Sequence, residues 1–538
     1  MLRRKFLADS SRIVGMFAFG KGWAAPPQGA KSILDYGAKP NGKSLSTQAI
    51  QRAIDDVFAA GGGVVYGPPG TFLVAGVELK SRVTLYLDTG CILLGSASID
   101  DYRLESGENA RHVIFADHAD DVTLSGPGTI DGQGPAYWEP ANRPSVSPEN
   151  EWKDVATHTT QVRKGGRPSP MIHFEQCRNV RIEDITLKNS PGRTLQSLAC
   201  ETVTIDRIVI RNAPFGINTD GIDITASRGV SVSNCDIATG DDAICLKSPS
   251  PYGDSLPTKD ITVSNCTLRS SCNGFKIGTE TRGAFQNIVF KDSVISSDAT
   301  RPVNERVISG VSIEMVDGGS IDGVSVSNIR MQNVRAPIFI RMEQRNRSDN
   351  SFLRNVQIEG VNAGGAIVTS SISGVPGLRP SDITISNCHF RTSEQGRADW
   401  AQRDVPEAVD KYPEAWMMGH LPAYGFYIRH ADRIRMQNVE CLAESPDERP
   451  AIVCDDLEDA TFDGLNLMAP AGGAPVIDLR STRKVLITDM RAPAGAKVLV
   501  QVSGADSAGI ELKANTLVQG QRAVSFTNGA AQDSATVD

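Results

Sequence analysis

Twelve short runs along the chain carry nearly the same pattern of apolar and polar positions. They begin with "VTLSGP" from Val122, "VRIEDI" from Val180, "VTIDRI" from Val203, "VSVSNC" from Val230, "ITVSNC" from Ile261 and "IVFKDS" from Ile288. They continue with "VSVSNI" from Val324, "VQIEGV" from Val356, "ITISNC" from Ile383, "IRMQNV" from Ile434, "ATFDGL" from Ala460 and "VLITDM" from Val485. Most alternate apolar and polar residues, as half-buried strands do. From Val180 to Ile383 successive starts lie 23, 27, 31, 27, 36, 32 and 27 residues apart. Coils of that length leave no room for a crossover helix between parallel strands. The pattern therefore predicts an all-β fold, a single-stranded right-handed parallel β-helix whose coils stack along one axis.

Two gaps break the period. One insertion spans about 135–168 and the other about 394–425, both rich in proline, charge and aromatic residues. Loops of that kind often stand over a binding surface. The segment "TQAIQRAIDDVFAAGGGVVYGPPGTF" reads as an amphipathic helix, a glycine-rich turn and strands that cap the first coils. Residues 26–538 then form one solenoid domain.

Composition narrows the function classes. A net charge of -8 with no basic tract argues against a nucleic-acid partner. No run is long enough to span a membrane. Arg3 and Arg4, followed by Phe6, Leu7 and a short apolar stretch, read as a twin-arginine export signal over residues 1–25 and predict a periplasmic protein. Of ten cysteines, Cys235, Cys266 and Cys388 each follow Ser-Asn in a strand-like run. That regularity predicts buried free thiols at a repeated interior position. The seven histidines show no metal-ligand spacing, and no metal or cofactor is expected.

A second family of strands carries the candidate chemistry. "DGIDI", "DAICL", "NGFKI", "SGVSI" and "APIFI" begin at Asp220, Asp242, Asn273, Ser309 and Ala336, spaced 22, 31, 36 and 27 residues apart. Equivalent positions on adjacent coils lie about 4.8 Å apart, so Asp220, Asp242 and Asn273 should form a row with Asp241 beside it. Gly240 allows the bend that lets both Asp241 and Asp242 reach one groove. Like charges this close raise at least one pKa, leaving one carboxyl protonated while its neighbours ionise. Glycoside hydrolysis needs that division between acid and base. A solvated aspartate turn or a calcium site is the other reading of the same spacing.

The motifs "NTDGIDI" (218–224), "GDDAICLKS" (240–248), "GGGVVYGPPGTF" and "GTIDGQGPAYW" resemble the polygalacturonase family, glycoside hydrolase family 28. The resemblance is clear over roughly residues 30 to 360. It implies an inverting hydrolase of plant cell-wall, pectic polysaccharide or oligosaccharides. Asp241 would be the general acid, and Asp220 with Asp242 would activate water. Inversion implies an acid–base separation of roughly 6.5–9.5 Å. Asn218 and Asn273 would contact substrate, as would Glu314 unless it belongs to a structural ion pair. Two departures stand out. Asn273 replaces the histidine of a Gly-His-Gly motif, and Ser312 and Glu314 take the place of an Arg-x-Lys pair that grips the uronate carboxylate. Lys276 and Arg341, expected to point outward, would form a differently placed anion clamp, or else surface salt bridges with Glu280 and Glu343. Trp138, Trp400, Tyr412 and Trp416 offer flat apolar area for sugar faces, with Trp416 expected to pack the loops instead. Two alternatives stay open on these residues: a lyase with calcium on the aspartates and Lys276 as base, and a carbohydrate-binding relative without catalysis.

Overall fold

The computed structural model describes residues 27–102, 112–248, 251–253, 256–345, 351–409 and 411–538. The proposed export signal lies outside these residues. Among them, forty strands join one connected set of ladders, and every pairing between consecutive coils is parallel. The fold is the expected right-handed parallel β-helix.

The register follows the repeat read from the sequence. Val122, Val180, Val203, Val230, Ile261, Ile288, Val324, Val356, Ile383, Ile434, Ala460 and Val485 pair one above another through the whole stack. All but one of these positions are aliphatic Val or Ile, and they stack in a continuous interior with no exposure above a few per cent. The helix Thr47–Ala59 turns Ala49, Ile50, Ala53, Ile54 and Val57 onto the first coils. It covers the ladder end that would otherwise present bare backbone groups.

The coil corners explain the Ser-Asn-Cys triplets. Asn234, Asn265 and Asn387 take φ of 56°, 54° and 53°, in the left-handed region that asparagine enters more readily than most residues. The corner then sends the following cysteine inward. Amides bridge corners between coils, as from Asn234 Nδ2 to Asp206 Oδ1 at 2.7 Å and Asn438 Nδ2 to Asn387 Oδ1 at 2.8 Å. All ten cysteines are buried free thiols, as expected.

Both insertions fold onto one face of the solenoid. In the first, Trp138–Pro140 pairs antiparallel with Thr160–Val162. Its Trp152 and the second insertion's Trp400 stack on His420, with ring centroids 4.3 and 3.7 Å away. Buried Arg335 hydrogen-bonds Trp152 O and Asp154 O and lies 4.8 Å from the Trp416 ring. Trp416 therefore packs the loop, as expected, and Trp138, Trp152 and Trp400 do the same.

The stacked pair Phe275 and Phe290, 4.6 Å apart and nearly parallel, fills the interior beneath the front wall. Phe290→Ala should lower unfolding free energy by about 3–5 kcal/mol, measured by urea denaturation. A loss well under 1 kcal/mol would show that this layer repacks freely.

Candidate active site

The front wall stacks the strands Ile222–Thr225, Ile244–Lys247, Phe275–Ile277 and Ser309–Met315. Two residues before Ile222, Ile244, Phe275 and Val311 in this register stand Asp220, Asp242, Asn273 and Ser309, which thus form the expected column. Backbone bonds hold it, from Gly221 N to Asp242 O and from Ala243 N to Asn273 O, each 2.9 Å. The chain bends at Gly240 and Asp241. Glycine is needed at 240 for space. A Cβ there would lie 2.5 Å from Gly216 O and 2.7 Å from Ala213 O, and Gly240 is not among the positive-φ residues.

The three aspartates occupy different electrostatic settings. Asp242 is buried. Its Oδ1 accepts from Asn273 N at 3.1 Å and Asn273 Nδ2 at 2.9 Å, and its Oδ2 lies 3.4 Å from Lys276 Nζ. Burial works against its charge, yet Lys276, Lys247 and the Asn273 amide outweigh burial and hold the carboxyl below the usual range. Asp241 is half-buried and has no such cation contact. Burial, then the negative fields of Asp220 and Asp242, push it up to about 7. Burial also raises Asp220, although Lys247 Nζ at 3.9 Å and the nearby Arg193 oppose it. Asp241 and Asp242 bring oxygens within 4.8 Å of each other, closer than the separation expected between an inverting acid and base.

Asn273 takes part in the structure as a staple. Its amide donates to Asp242, and its Oδ1 accepts Ser309 N of the next coil at 3.1 Å. Asn218 is exposed at the groove edge, where its Oδ1 accepts from Arg167 NH2 at 2.9 Å.

Lys276 and Arg341 differ from expectation. Neither is a surface residue. Lys276 is 2% exposed and sits 3.4 Å from both Asp242 Oδ2 and Glu314 Oε2. Glu280, expected as its partner, binds Lys247 instead at 3.2 Å. Arg341 does pair with Glu343, at 2.8 Å, and its other N–H groups go to Ser373 Oγ, Gly374 O and Glu407 O. Its donors are engaged by protein, away from the aspartates. Glu314 is fully buried, and burial raises it to about 7 against the pull of Lys276.

Further groups gather here, and apart from Tyr412 sequence reasoning did not single them out. Lys247 Nζ lies between Asp220, Asp223 and Glu280. Its place in "GDDAICLKS", three residues after Ile244 on the same strand, carries a signal for it. Arg193 holds the register position below Asp220, two residues before Leu195. Arg167 and Glu414 come from the insertions, where no periodicity places a side chain. Tyr412, 55% exposed, sets its hydroxyl 3.4 Å from Lys276 Nζ.

The groove is already closed at Lys276 and Ser312, which are 2% and 0% exposed. The next outward position on the wall, Phe339, pairs with Ser312 and is fully buried. Val155 of the first insertion and Ala415 and Trp416 of the second cover it. Tyr427 and Val453, further along, lie beneath Val405, Met418 and Leu421.

Asn273→Ala should remove both the Asp242 contact and the Ser309 bridge, costing about 1–3 kcal/mol of stability. Asp242 should then titrate at higher pH, so any acidic limb of activity should move upward. An unchanged limb would mean that Asn273 only joins the coils.

The sequence is similar to known proteins along most of its length. A probable polygalacturonase of Vitis vinifera is 25% identical over 403 residues, covering 70% of this chain and 77% of that protein. Among solved structures, an exopolygalacturonase from Thermotoga maritima superposes with a TM-score of 0.59 at 22% identity, covering 78% of this chain and 93% of its own. A family 28 exopolygalacturonase of Yersinia enterocolitica gives a TM-score of 0.61 at 19% identity, covering 81% and 79%. A model of rhamnogalacturonase A/epimerase, pectate lyase-like proteins matches residues 30–105. The model of glycosyl hydrolases family 28 matches residues 68–397 and takes in the column of aspartates, and the chain belongs to that family of glycosidases.

Proposed function

We propose that this glycosidase cleaves pectic polysaccharide or its oligosaccharides by inverting hydrolysis, from a chain end. The observation that carries the reading is the split between Asp241 and Asp242, adjacent carboxyls with opposite proton affinities. Asp241 is accessible and protonated near neutral pH, so it serves as general acid and protonates the glycosidic oxygen. Asp242 stays ionised and, with Asp220, draws a proton from water. Because Asp241 and Asp242 approach within 4.8 Å, we assign the water to the Asp220 side, one coil below. The closed groove end at Phe339 supports action at a chain terminus. The names of the relatives support the pectic substrate.

The lyase reading fits less well. A base must lose its proton, and the acids around Lys276 outweigh its burial and raise its pKa well above the ordinary lysine value. Asp241, Asp242 and the Cys272 thiol form a mixed donor set within 4.8 Å, whose sulfur suits a hard, oxygen-seeking cation such as calcium poorly. Export belongs to the same proposal, supported by the Arg3-Arg4 pair; no helix among the described residues is long and apolar enough to cross a membrane.

The test is product analysis on pectic polysaccharides and oligosaccharides with wild type and Asp241→Asn. Expected are new reducing ends, no ultraviolet-absorbing product, the inverted anomer by NMR at early times, and a loss of roughly 10²–10⁴-fold in the variant. Retained anomeric configuration would overturn the assignment of roles. In wild type the rate should fall as pH rises through about 7, where Asp241 gives up its proton. Glu314 titrates in the same range. Glu314→Gln separates the two, since the limb should persist in that variant if Asp241 sets it.

A further inference from the structure

A second pocket opens over the strands Val209–Arg211, Asp236–Thr239 and Thr267–Ser270, outside the aspartate column. Its volume is about 370 Å³, within the range of small-ligand sites. Asp220, Asp241 and Asp242 are not among its walls. Arg211, Ala238 and Arg269 share one register position on three successive coils. The small alanine therefore leaves a floor between two guanidiniums. Asp298, Arg301 and Glu305, from the loop that follows Ser296, complete the lining.

The acids here are already engaged, and one cation is not. Asp236 gives one oxygen to Arg211 Nη2 and the other to Arg269 Nη2. Glu305 Oε2 accepts from Arg301 Nη1 at 3.2 Å. Asp298 Oδ1 accepts from Thr300 N at 2.9 Å and Thr300 Oγ1 at 2.8 Å, and lies in the fields of Arg301 and Arg306. Arg211, Arg269, Arg301 and Arg306 thus stand against Asp236, Asp298 and Glu305, one positive charge in excess. That excess runs against the net charge of -8 of the whole chain. The rest of the Arg269 fork has no hydrogen-bond partner among the described residues, and 40% of its side chain is exposed. Arg301 is 52% exposed. Planar forks with unspent donors match a carboxylate, and the flanking acids accept from hydroxyls.

Thr239 and Ser270 also line the pocket, and their hydroxyls donate to Asp241 O, from Ser270 at 2.6 Å. The pocket thus borders the backbone that carries Asp241. We propose that it is a second carbohydrate-binding site, which takes a uronate residue of the polysaccharide with its carboxylate on Arg269 and Arg301 and its hydroxyls on Asp298 and Glu305. The identity of the polymer rests on the hydrolase reading; the preference of the site for a carboxylated sugar does not. A chain held here stays beside the aspartates after a cut, which raises the effective concentration of its ends.

Affinity electrophoresis tests the site, in gels containing polygalacturonate or the same polymer after chemical reduction of its carboxyls. Asp241→Asn is the background, so that the polymer is not digested, and polygalacturonate should retard it. Adding Arg269→Gln should weaken the apparent affinity at least roughly tenfold, about 1.4 kcal/mol. Ala238→Phe fills the floor without touching a charge and should do the same. With Asp241 intact, Arg269→Gln should raise KM for the polymer and leave turnover of digalacturonate unchanged, which a loss of fold would not do. The proposal is overturned if neither substitution changes the retardation, or if the reduced polymer retards as strongly. It is also overturned if digalacturonate turnover falls in step, since the pocket would then belong to the aspartate groove. Retardation that responds to both substitutions, with no turnover of any pectic substrate by wild type, would sink the hydrolase reading and leave the site standing. Turnover by wild type with no retardation of Asp241→Asn would do the reverse.

Discussion

Strand register between successive coils is the constraint on which the rest of this molecule depends. Each coil repeats the backbone path of the one below, so residues tens of positions apart in sequence are fixed about 4.8 Å apart in space. Asp220, Asp242, Asn273 and Ser309 form a column because Ile222, Ile244, Phe275 and Val311 pair in an unbroken ladder. A slip of one residue would turn the apolar interior outward and scatter the carboxylates. The Val and Ile stacks that hold the core together are therefore also what aligns the groove.

Within that frame, small differences in contact set the chemistry. Asp241 and Asp242 are neighbours in sequence and burial works against the charge of both, but only Asp242 receives the Asn273 amide and Lys276. Lys276, with Lys247 and the Asn273 amide, outweighs burial at Asp242, which leaves Asp241 to hold the proton. Asn273 does this while also accepting from Ser309 of the next coil. Lys276 in turn is kept charged by Asp242 and Glu314 together. Asp241, Asp242, Asn273, Lys276 and Glu314 form one network in which the protonation of no acidic or basic member is independent of the others.

The solenoid and the aspartate column were legible in the sequence because both repeat. Twelve strand starts could be aligned by eye, and each pairs in the structure with its predicted neighbour. Where repetition stops, so does legibility. Arg167 and Glu414 reach the groove from insertions whose path no period determines. Lys276 and Arg341 were placed on the outer face correctly by alternation, but alternation cannot say what covers an outer face. The insertions do, and they turn both cations into buried ion-pair partners. The partner of Lys276 also depended on reach across coils, which linear spacing does not give: it found Glu314 one coil away rather than Glu280 on its own.

Burial of Phe339 under the two insertions has a consequence for traffic through the groove. The wall continues for several more coils, but the channel above it does not. In the hydrolase proposed above, a chain end brought to Asp241 would have one way in and the same way out. Successive cuts on a single strand would not proceed by threading it onward; the fragment on the sealed side would back out past the aspartates before the next end could enter. Turnover of the proposed enzyme would then be paced by departure, and accumulated product would compete directly with fresh chain ends for entry.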